Sequence, residues 1–178
     1  MEKAQELDPR NLLYQLSIGV FYYFRRDYDK ALDRFQKILE LEPNYPGAFY
    51  WIEHIYQQKG MYAEALEYAW KNGVSVGRLK PEEVQRRREI FKESGWQGIL
   101  RKRLEVIKER AKNEPVSPRD FAVPYALLGD KDQAFAWLNK SIDEHDPFAI
   151  QLKIEPQYDS LRSDPRYTTL LKRLNMTP

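Results

Sequence analysis

A spacing of about 34 residues recurs along this chain of 178 residues. Arg26, Gly60, Gly95 and Gly129 follow one another at intervals of 34, 35 and 34 residues. Other pairs of like residues lie 34 apart in the same phase: Pro9 and Pro43, Ile18 and Ile52, Tyr22 and Tyr56, Tyr28 and Tyr62, Ala31 and Ala65, Leu32 and Leu66. Small residues and aromatics at fixed places in such a period predict stacked helical hairpins. Because stacked hairpins present a long surface, we expect binding rather than catalysis.

Each period divides into two helices and a turn. Apolar residues cover most of the segment from Leu12 to Tyr22, and an amphipathic pattern with steps of three and four follows until Pro43. We predict an all-α superhelical solenoid of about four helical hairpins, with units at residues 12–45, 46–79, 80–114 and 115–147 and a partial unit at 1–11. The third unit is degenerate: we expect Gly95 to separate helices at 81–93 and 96–112, and residues 73–77 to form a loop or a kinked extension.

Residues 148–178 show no repeat in the sequence. Glu155-Pro156 and Asp164-Pro165 each place a capping residue before a proline, which is typical of a helix start. We therefore predict two short capping helices, roughly 156–162 and 165–174, that cover the end of the array. At the other end, Met1 falls about two-thirds of the way into a unit and residues 3–9 look like the end of a second helix. This phase leads us to expect a longer parent protein.

The pattern formed by Gly19, Tyr22, Ala31, Phe35, Ile38 and Pro43, repeated in part by Pro46, Tyr56 and Ala65, resembles the tetratricopeptide repeat (TPR). This resemblance implies a non-catalytic scaffold for protein–protein interaction. Residues 127–134 (LLGDKDQA) and 159–167 (DSLRSDPRY) also resemble the C-terminal end of bacterial regulators in which TPR units follow a winged-helix, nucleotide-cyclase-type or Ser/Thr kinase domain. That second resemblance implies a cytoplasmic regulatory or sensory arm.

In arrays of this family the first helix of each unit lines a concave groove. By phase, the groove and partner-binding residues expected here are Leu16, Val20, Tyr23, Tyr50, His54, Gln57 and Arg88, and Leu13 faces the same groove. The alternative for Leu13 and Leu16 is that they pack against a unit upstream of Met1. Family members that hold chaperone C-terminal carboxylates need lysine, asparagine and arginine at such positions, and this chain has apolar and aromatic residues there instead. We therefore expect an amphipathic helix or an extended hydrophobic peptide as partner.

Positive charge is concentrated between Arg78 and Lys112, where twelve Lys/Arg stand against six Glu. The densest points of this basic segment are Arg86, Arg87, Arg88, Arg101, Lys102 and Arg103. Three consecutive helical residues fan out over about 200°, so a solvated helix face is one interpretation. A site for an acidic partner is another, and nucleic acid is the less favoured ligand. A further alternative is self-association, since an exposed apolar N-terminal edge could pair two copies.

The sequence contains no constellation that predicts catalysis, a metal or a cofactor. Residues 73–77 (GVSVG) match G-x-S-x-G, but Ser75 follows a helix rather than a strand, and the one histidine after it is His145. The chain has no cysteine, and its other histidine, His54, has no second ligand at helical spacing, which excludes the usual zinc motifs. No run approaches the roughly 18 apolar residues of a membrane span. We expect neither an enzyme nor a membrane protein.

Overall fold

A computed structural model describes residues 11–177, and every regular element within this range is helical. In chain order the elements are α1 (Leu12–Phe24), α2 (Tyr28–Leu41), α3 (Pro46–Gln58), α4 (Tyr62–Ser75), α5 (Pro81–Arg110), α6 (Pro118–Leu128), α7 (Lys131–Asp143), two 3₁₀ helices (Pro147–Gln151 and Pro156–Leu161) and α8 (Pro165–Arg173). Consecutive helices pack as hairpins, α1 with α2, α3 with α4 and α6 with α7, which confirms the all-α fold of helical hairpins. The chain divides into two compact units, residues 1–87 and 88–178. The partial unit expected at 1–11 lies, apart from Asn11, outside the described residues.

The turn positions found by their 34-residue spacing share one backbone conformation. Arg26, Gly60, Gly95 and Gly129 all have positive φ, between 61° and 80°. In three of the turns a hydrogen bond joins equivalent residues: Asp27 N to Tyr22 O at 3.0 Å, Met61 N to Tyr56 O at 2.9 Å, and Asp130 N to Tyr125 O at 3.0 Å. At many helix ends a residue with left-handed backbone lets the next N–H donate to a carbonyl five residues earlier, which satisfies one of the last carbonyl groups of the helix. The spacing therefore marks the residue that closes each hairpin.

Gly95 separates two helices within α5. Its φ is 61° and its ψ is −164°, which no helix contains, and helical backbone resumes directly after it. The segment Pro81–Arg110 thus holds two helices joined across a kink at Gly95, as expected from the sequence. The sequence also predicts a loop or a kinked extension at residues 73–77. α4 extends to Ser75, and the chain turns at Gly77, whose φ is 70°.

In the first compact unit, α1 and α2 cross closely at Gly19. A Cβ atom at Gly19 would lie 2.5 Å from the ring of Phe35, which is completely buried. A glycine is needed here because a methyl group would have to displace a close-packed ring. The core around this crossing consists of Tyr23, Ala31, Phe35, Ile38, Ala48, Ile52 and Ile55.

Aromatic rings join the two hairpins of the first unit. Trp51 of α3 lies parallel to Phe35 of α2, with ring centroids 6.3 Å apart, and 5.1 Å from the ring of Tyr23 in α1. Within the second hairpin, Tyr68 of α4 packs against Phe49 at 6.1 Å. Ring pairs at these separations add about 0.5–1.5 kcal/mol each to the burial of their surfaces. The aromatic positions of the repeat are therefore packing positions.

The second compact unit is built on the hairpin of α6 and α7. The rings of Phe121 and Trp137 stack across it with centroids 3.9 Å apart. Leu104 and Ile107 of α5 pack against Phe121 and connect the helix before the hairpin to it. A larger core lies between the hairpin and the C-terminal segment and comprises Ala122, Val123, Ala126, Ala134, Phe135, Leu138, Leu152, Tyr158, Leu161, Tyr167, Leu170 and Leu171.

The C-terminal segment continues the register of the repeat, which its sequence does not reveal. The second 3₁₀ helix packs on α6, and α8 packs on α7. Arg166 binds Asp132 at 2.6 Å, and Arg173 donates a hydrogen bond to Asn139, so both pairs join residues 34 apart. The residue 34 before Asp164, the N-cap of α8, is Asp130, the N-cap of α7. The Asp130 carboxylate accepts from Gln133 N, and that of Asp164 accepts from Arg166 N. The segment therefore occupies the place of a further, shortened hairpin after that of α6 and α7.

Asp164 holds the start of α8. Its carboxylate accepts hydrogen bonds from the backbone and the guanidinium of Arg166, at 3.0 and 2.9 Å. The side-chain hydrogen bond from Arg166 is the main cause that lowers the pKa of Asp164 from 3.8 to about 2. Arg166 also binds Asp132 of α7, so one guanidinium links the cap of α8 to the preceding hairpin.

The positive φ at Gly60 predicts a cost for any side chain there. Gly60→Ala should lower the free energy of unfolding by about 1 kcal/mol, because a left-handed backbone is strained for L-residues while no atom lies within 4 Å of the added methyl group. Urea denaturation followed by circular dichroism measures this change. Arg26→Gly at the equivalent turn is the control and should leave stability equal or higher, since a non-glycine residue already carries the strain there.

The lowered pKa of Asp164 predicts a pH dependence with a definite sign. The ionised carboxylate stabilises the folded state above the unfolded pKa, and this contribution is lost as the pH falls from about 4 to about 2. Asp164→Asn keeps a capping side chain but cannot titrate, so its Tm should fall less over this range than that of the wild type. Thermal melts of both proteins in parallel buffers test this. Equal slopes would contradict the assignment.

Candidate functional site

α1 and α3, the first helices of the two hairpins in the first compact unit, contain few charged residues. The segment Leu12–Phe24, which forms α1, contains no acidic or basic residue, and α3 contains only Glu53 and His54 as titratable groups besides its tyrosines. A helix that is apolar on most faces is normally covered on most faces. In α1, however, Leu13 is 68% exposed and Leu16 and Val20 are partly exposed. These two helices therefore offer an apolar surface within the unit.

The structure divides the expected groove residues into two groups. Leu16, Val20 and Tyr50 are partly exposed and are positioned by α1 and α3. Tyr23, His54 and Gln57 are buried, with exposed fractions of 0%, 7% and 6%. Arg88 is exposed but belongs to the second compact unit, so it is not placed with the others.

Tyr23 is a correction to the sequence-based assignment. Its ring is surrounded by Trp51 at 5.1 Å, Phe24 at 5.3 Å and Tyr28 at 6.0 Å, measured between ring centroids. The position 23 side chain points into the contact between the two hairpins, because the second hairpin packs against this side of α1. It has no surface with which to meet a partner and is a core residue.

His54 lies under Tyr50 rather than in the open groove. The two rings are 4.2 Å apart, and His54 Nδ1 is 2.7 Å from the backbone carbonyl oxygen of Tyr50. Because a carbonyl oxygen only accepts, this contact requires a proton on Nδ1. Gln57 in turn donates a hydrogen bond to Glu53 at 3.0 Å. His54 therefore supports the ring of Tyr50, and Tyr50 is the more exposed of the two side chains.

The accessible surface that remains is apolar. Leu16 of α1 reaches across to α3, where its Cδ1 lies 3.5 Å from the position that a Cβ on Gly47 would occupy. The space left by the missing side chain at Gly47 is filled by the ring of Tyr45, 2.8 Å from that Cβ position, and by Leu16. The ring of Tyr50 follows on the next turn of α3. Such a surface can bury apolar side chains and offer one phenol hydroxyl, but it presents no charged group from α1.

Several cations in and next to the basic segment are paired with glutamates. Arg86 and Arg87 belong to the first compact unit, and Arg88, Arg101, Lys102 and Arg103 belong to the second. All six side chains are exposed. Within α5 and just after it, ion pairs neutralise several cations: Lys102 with Glu105 at 2.7 Å, Arg110 with Glu114 at 2.6 Å, and Lys112 with Glu109 at 2.5 Å. These pairs favour the solvated helix face, and binding by this segment stays a prediction.

A buried polar cluster in the second unit was not anticipated from the sequence. Glu155 is 2% exposed and pairs with Arg119 at 3.7 Å, and burial raises the pKa of the nearby Tyr158 phenol. Ser117 donates a hydrogen bond to Asp146 in the same region. The cavity beside Arg119 has room for no more than about one water molecule. The cluster fixes the two 3₁₀ helices to the start of α6.

The described residues show neither a metal centre nor a membrane helix. Between residues 11 and 177, no three His, Cys, Asp or Glu side chains come together as a metal site would require. In the same part of the chain, no helix has both the length and the apolar character needed to cross a bilayer. Ser75, the centre of the G-x-S-x-G match, ends α4 and donates its hydroxyl to the carbonyl of Asn72 at 2.9 Å.

Comparison with known proteins gives one partial similarity. No family model matches the chain. A stretch of 80 residues is 31% identical to tetratricopeptide repeat protein 37 from Xenopus laevis. The match covers 38% of this chain and 5% of the relative's length. It supports TPR-like helical repeats, and the resemblance to bacterial regulators stays a prediction.

The buried environment of Tyr23 predicts a structural role that is separable from binding. Tyr23→Ala should lower the free energy of unfolding by about 3 kcal/mol, because it leaves a cavity among aromatic rings. Leu13→Ala, at a position that is 68% exposed, is the matched control and should change stability by less than about 0.5 kcal/mol. Denaturant titrations measure both. A small effect of Tyr23→Ala on the free energy of unfolding would contradict its assignment as a core residue.

Proposed function

We propose that the chain is a non-catalytic interaction scaffold that binds an amphipathic helix or an extended apolar peptide between α1 and α3. The observation that carries this proposal is the partial exposure of Leu16, Val20 and Tyr50 on two neighbouring helices, one of which has no charged side chain. The partial match to a TPR protein agrees with a scaffold.

The expected ligand matches the chemistry of this surface. An amphipathic helix would place apolar side chains at steps of three and four residues beside Leu16 and Val20. Each apolar side chain that becomes fully buried contributes about 1.5–3 kcal/mol before the cost of association is subtracted. Two or three such anchors contribute roughly 3–9 kcal/mol in total, and 1 µM corresponds to about 8.2 kcal/mol, so we expect binding weaker than micromolar. The Tyr50 hydroxyl can add one hydrogen bond at the rim.

The wider setting that we propose is the C-terminal regulatory or sensory arm of a larger bacterial protein. Support comes from the resemblance carried by residues 127–134 and 159–167. The reading frame upstream of Met1 in the source genome tests this part directly. A winged-helix, cyclase-type or kinase domain there is the expected result, and a frame with only further helical hairpins would make the chain a free-standing adaptor.

Tyr50 provides the sharpest test of the groove. Peptides selected from a phage-displayed library on the full chain should bind at least about tenfold more weakly to Tyr50→Ala, because the rim ring and its hydroxyl are removed. Tyr62→Ala, which removes another exposed tyrosine from the first turn of α4, is the matched control and should keep wild-type affinity. Fluorescence anisotropy with labelled peptide measures both constants.

Salt dependence separates the groove from the basic segment. Binding to an uncharged surface should change little between low and moderate salt, whereas binding through Arg101 and Arg103 should weaken strongly. A selected peptide that is acidic, salt-sensitive and indifferent to Tyr50→Ala would assign the function to the basic segment and overturn the groove.

A further inference from the structure

The second half of α5 carries apolar side chains at two positions where the other second helices of the repeat carry polar ones. Counted from the positive-φ residue of the turn, Ile99 is the fourth residue after Gly95 and Val106 is the eleventh. The fourth residue is polar and exposed in the three hairpins: Lys30, Glu64 and Gln133. The eleventh is an exposed lysine in all three: Lys37, Lys71 and Lys140. Val106 is 50% exposed and Ile99 is partly exposed, so α5 presents apolar surface where its counterparts present polar surface.

The buried side of α5 supports this comparison of positions. Leu100, Leu104 and Ile107 are the fifth, ninth and twelfth residues after Gly95, and all three are buried. The same places in two hairpins are also buried: Ala31, Phe35 and Ile38 after Arg26, and Ala134, Leu138 and Ser141 after Gly129. The second half of α5 therefore buries the same side as a second helix of the repeat. Its apolar positions at 99 and 106 lie off that side.

The ion pairs of α5 lie on another side of the helix. From residue 96 to residue 112, six Lys/Arg stand against two Glu. Glu105 pairs with Lys102 at 2.7 Å, and Glu109 pairs with Lys112 at 2.5 Å. At 100° per residue these four side chains fall within about 80° of one another and are centred about 100° from Val106. Both glutamates of this stretch are thus used away from the apolar positions.

Arg103 lies between the two apolar side chains. Ile99, Arg103 and Val106 fall within about 60° of one another around the helix and follow each other at steps of four and three residues. Arg103 is exposed, and among residues 11–177 no carboxylate forms an ion pair with it. Arg110, the next residue on this line, already pairs with Glu114 at 2.6 Å. We name Ile99, Arg103 and Val106 the α5 strip.

We infer that the α5 strip docks one helix of a partner protein, and that this helix carries apolar side chains seven residues apart with an acidic side chain between them. Ile99 and Val106 are themselves seven apart, so a partner helix with the same spacing stays in contact over two turns, as in a coiled-coil seam. A carboxylate that faces Arg103 forms a charge-assisted pair, which fixes the register and orientation of the helix. A second copy of the strip fits poorly, because Arg103 would meet Arg103 near the two-fold axis.

The apolar side chains favour a protein over a nucleic acid as partner. Phosphate binding uses cations, and the three hairpins carry lysine at the place of Val106. Valine at this place removes a charge that a polyanion would use and adds apolar surface that a protein side chain can cover. This inference goes beyond the proposed function and does not rest on it, since the strip belongs to the second compact unit and the groove residues on α1 and α3 belong to the first.

Val106→Lys tests the strip with a residue that the repeat itself carries at this place. Because lysine is exposed at the equivalent position of three hairpins, the variant should keep the fold, and an unchanged circular dichroism melt establishes this. Arg103→Gln removes the charge at the centre of the strip. Lys112→Gln removes one charge from the side of the ion pairs and is the matched control.

Phage-displayed helical peptides of about three heptads, with randomised outer positions, provide the probe. They are selected on the full chain carrying Tyr50→Ala, so that the groove contributes little. Fluorescence anisotropy of each selected peptide should show wild-type affinity for Lys112→Gln and at least about tenfold weaker binding to Val106→Lys and to Arg103→Gln. The selected sequences should carry Asp or Glu between apolar residues that are seven apart.

A selection that yields no binder, or peptides that bind Val106→Lys as tightly as wild type, would overturn the docking strip. Single-stranded DNA of about 20 nucleotides tests the other class of partner. DNA that binds Val106→Lys more tightly than wild type, and loses affinity equally in Arg103→Gln and Lys112→Gln, would also overturn it and assign the cations to nucleic acid. The groove is judged separately on peptides selected with Val106→Lys, in which the strip is disabled, so failure of one site leaves the other standing.

Discussion

The hydrogen bond that closes each helical hairpin sets the spacing of the other contacts in this protein. The same bond joins Asp27 to Tyr22, Met61 to Tyr56 and Asp130 to Tyr125, each time across a residue with positive φ. The left-handed residue ends the first helix of each pair and turns the chain back along it. The second helix therefore begins at the same position in each hairpin. Side chains 34 residues apart then meet the same neighbours, and this explains why Phe35 of one hairpin reaches Trp51 of the next.

Packing and recognition compete for the same helix faces in such a protein. The first helix of a hairpin must bury one side against its own second helix and another against the neighbouring hairpin. These contacts bury Tyr23 and His54, whereas three other side chains stay partly exposed: Leu16, Val20 and Tyr50. Burial therefore uses most of the aromatic positions for stability and leaves a smaller, apolar surface exposed. The polar side chains, above all the ion-paired glutamates of α5, stay on solvated faces where single pairs contribute little.

The C-terminal segment illustrates how a repeat can be kept in space after it is lost in sequence. Only a 3₁₀ turn replaces a first helix, and yet Arg166 and Arg173 reach partners one repeat length before them. The inner face of α8 packs into the core shared with α7 through Tyr167, Leu170 and Leu171. The exposed residues of α8 are mostly polar. The C-terminal segment thus combines an apolar inner face with a polar outer face, the combination expected of a capping element.

The sequence by itself determined the helical class, the turn positions and most of the packing residues, because periodicity and glycine placement are local properties of the chain. Gly60 and Gly129 could be read as turns since few other residues tolerate positive φ. The tertiary structure decided what the period could not: that Tyr23 is enclosed, that Tyr50 rests on His54, and that α8 keeps the register of α7. Each of these depends on which face a neighbouring helix covers. That choice follows from contacts between residues far apart in sequence, to which a 34-residue pattern is blind.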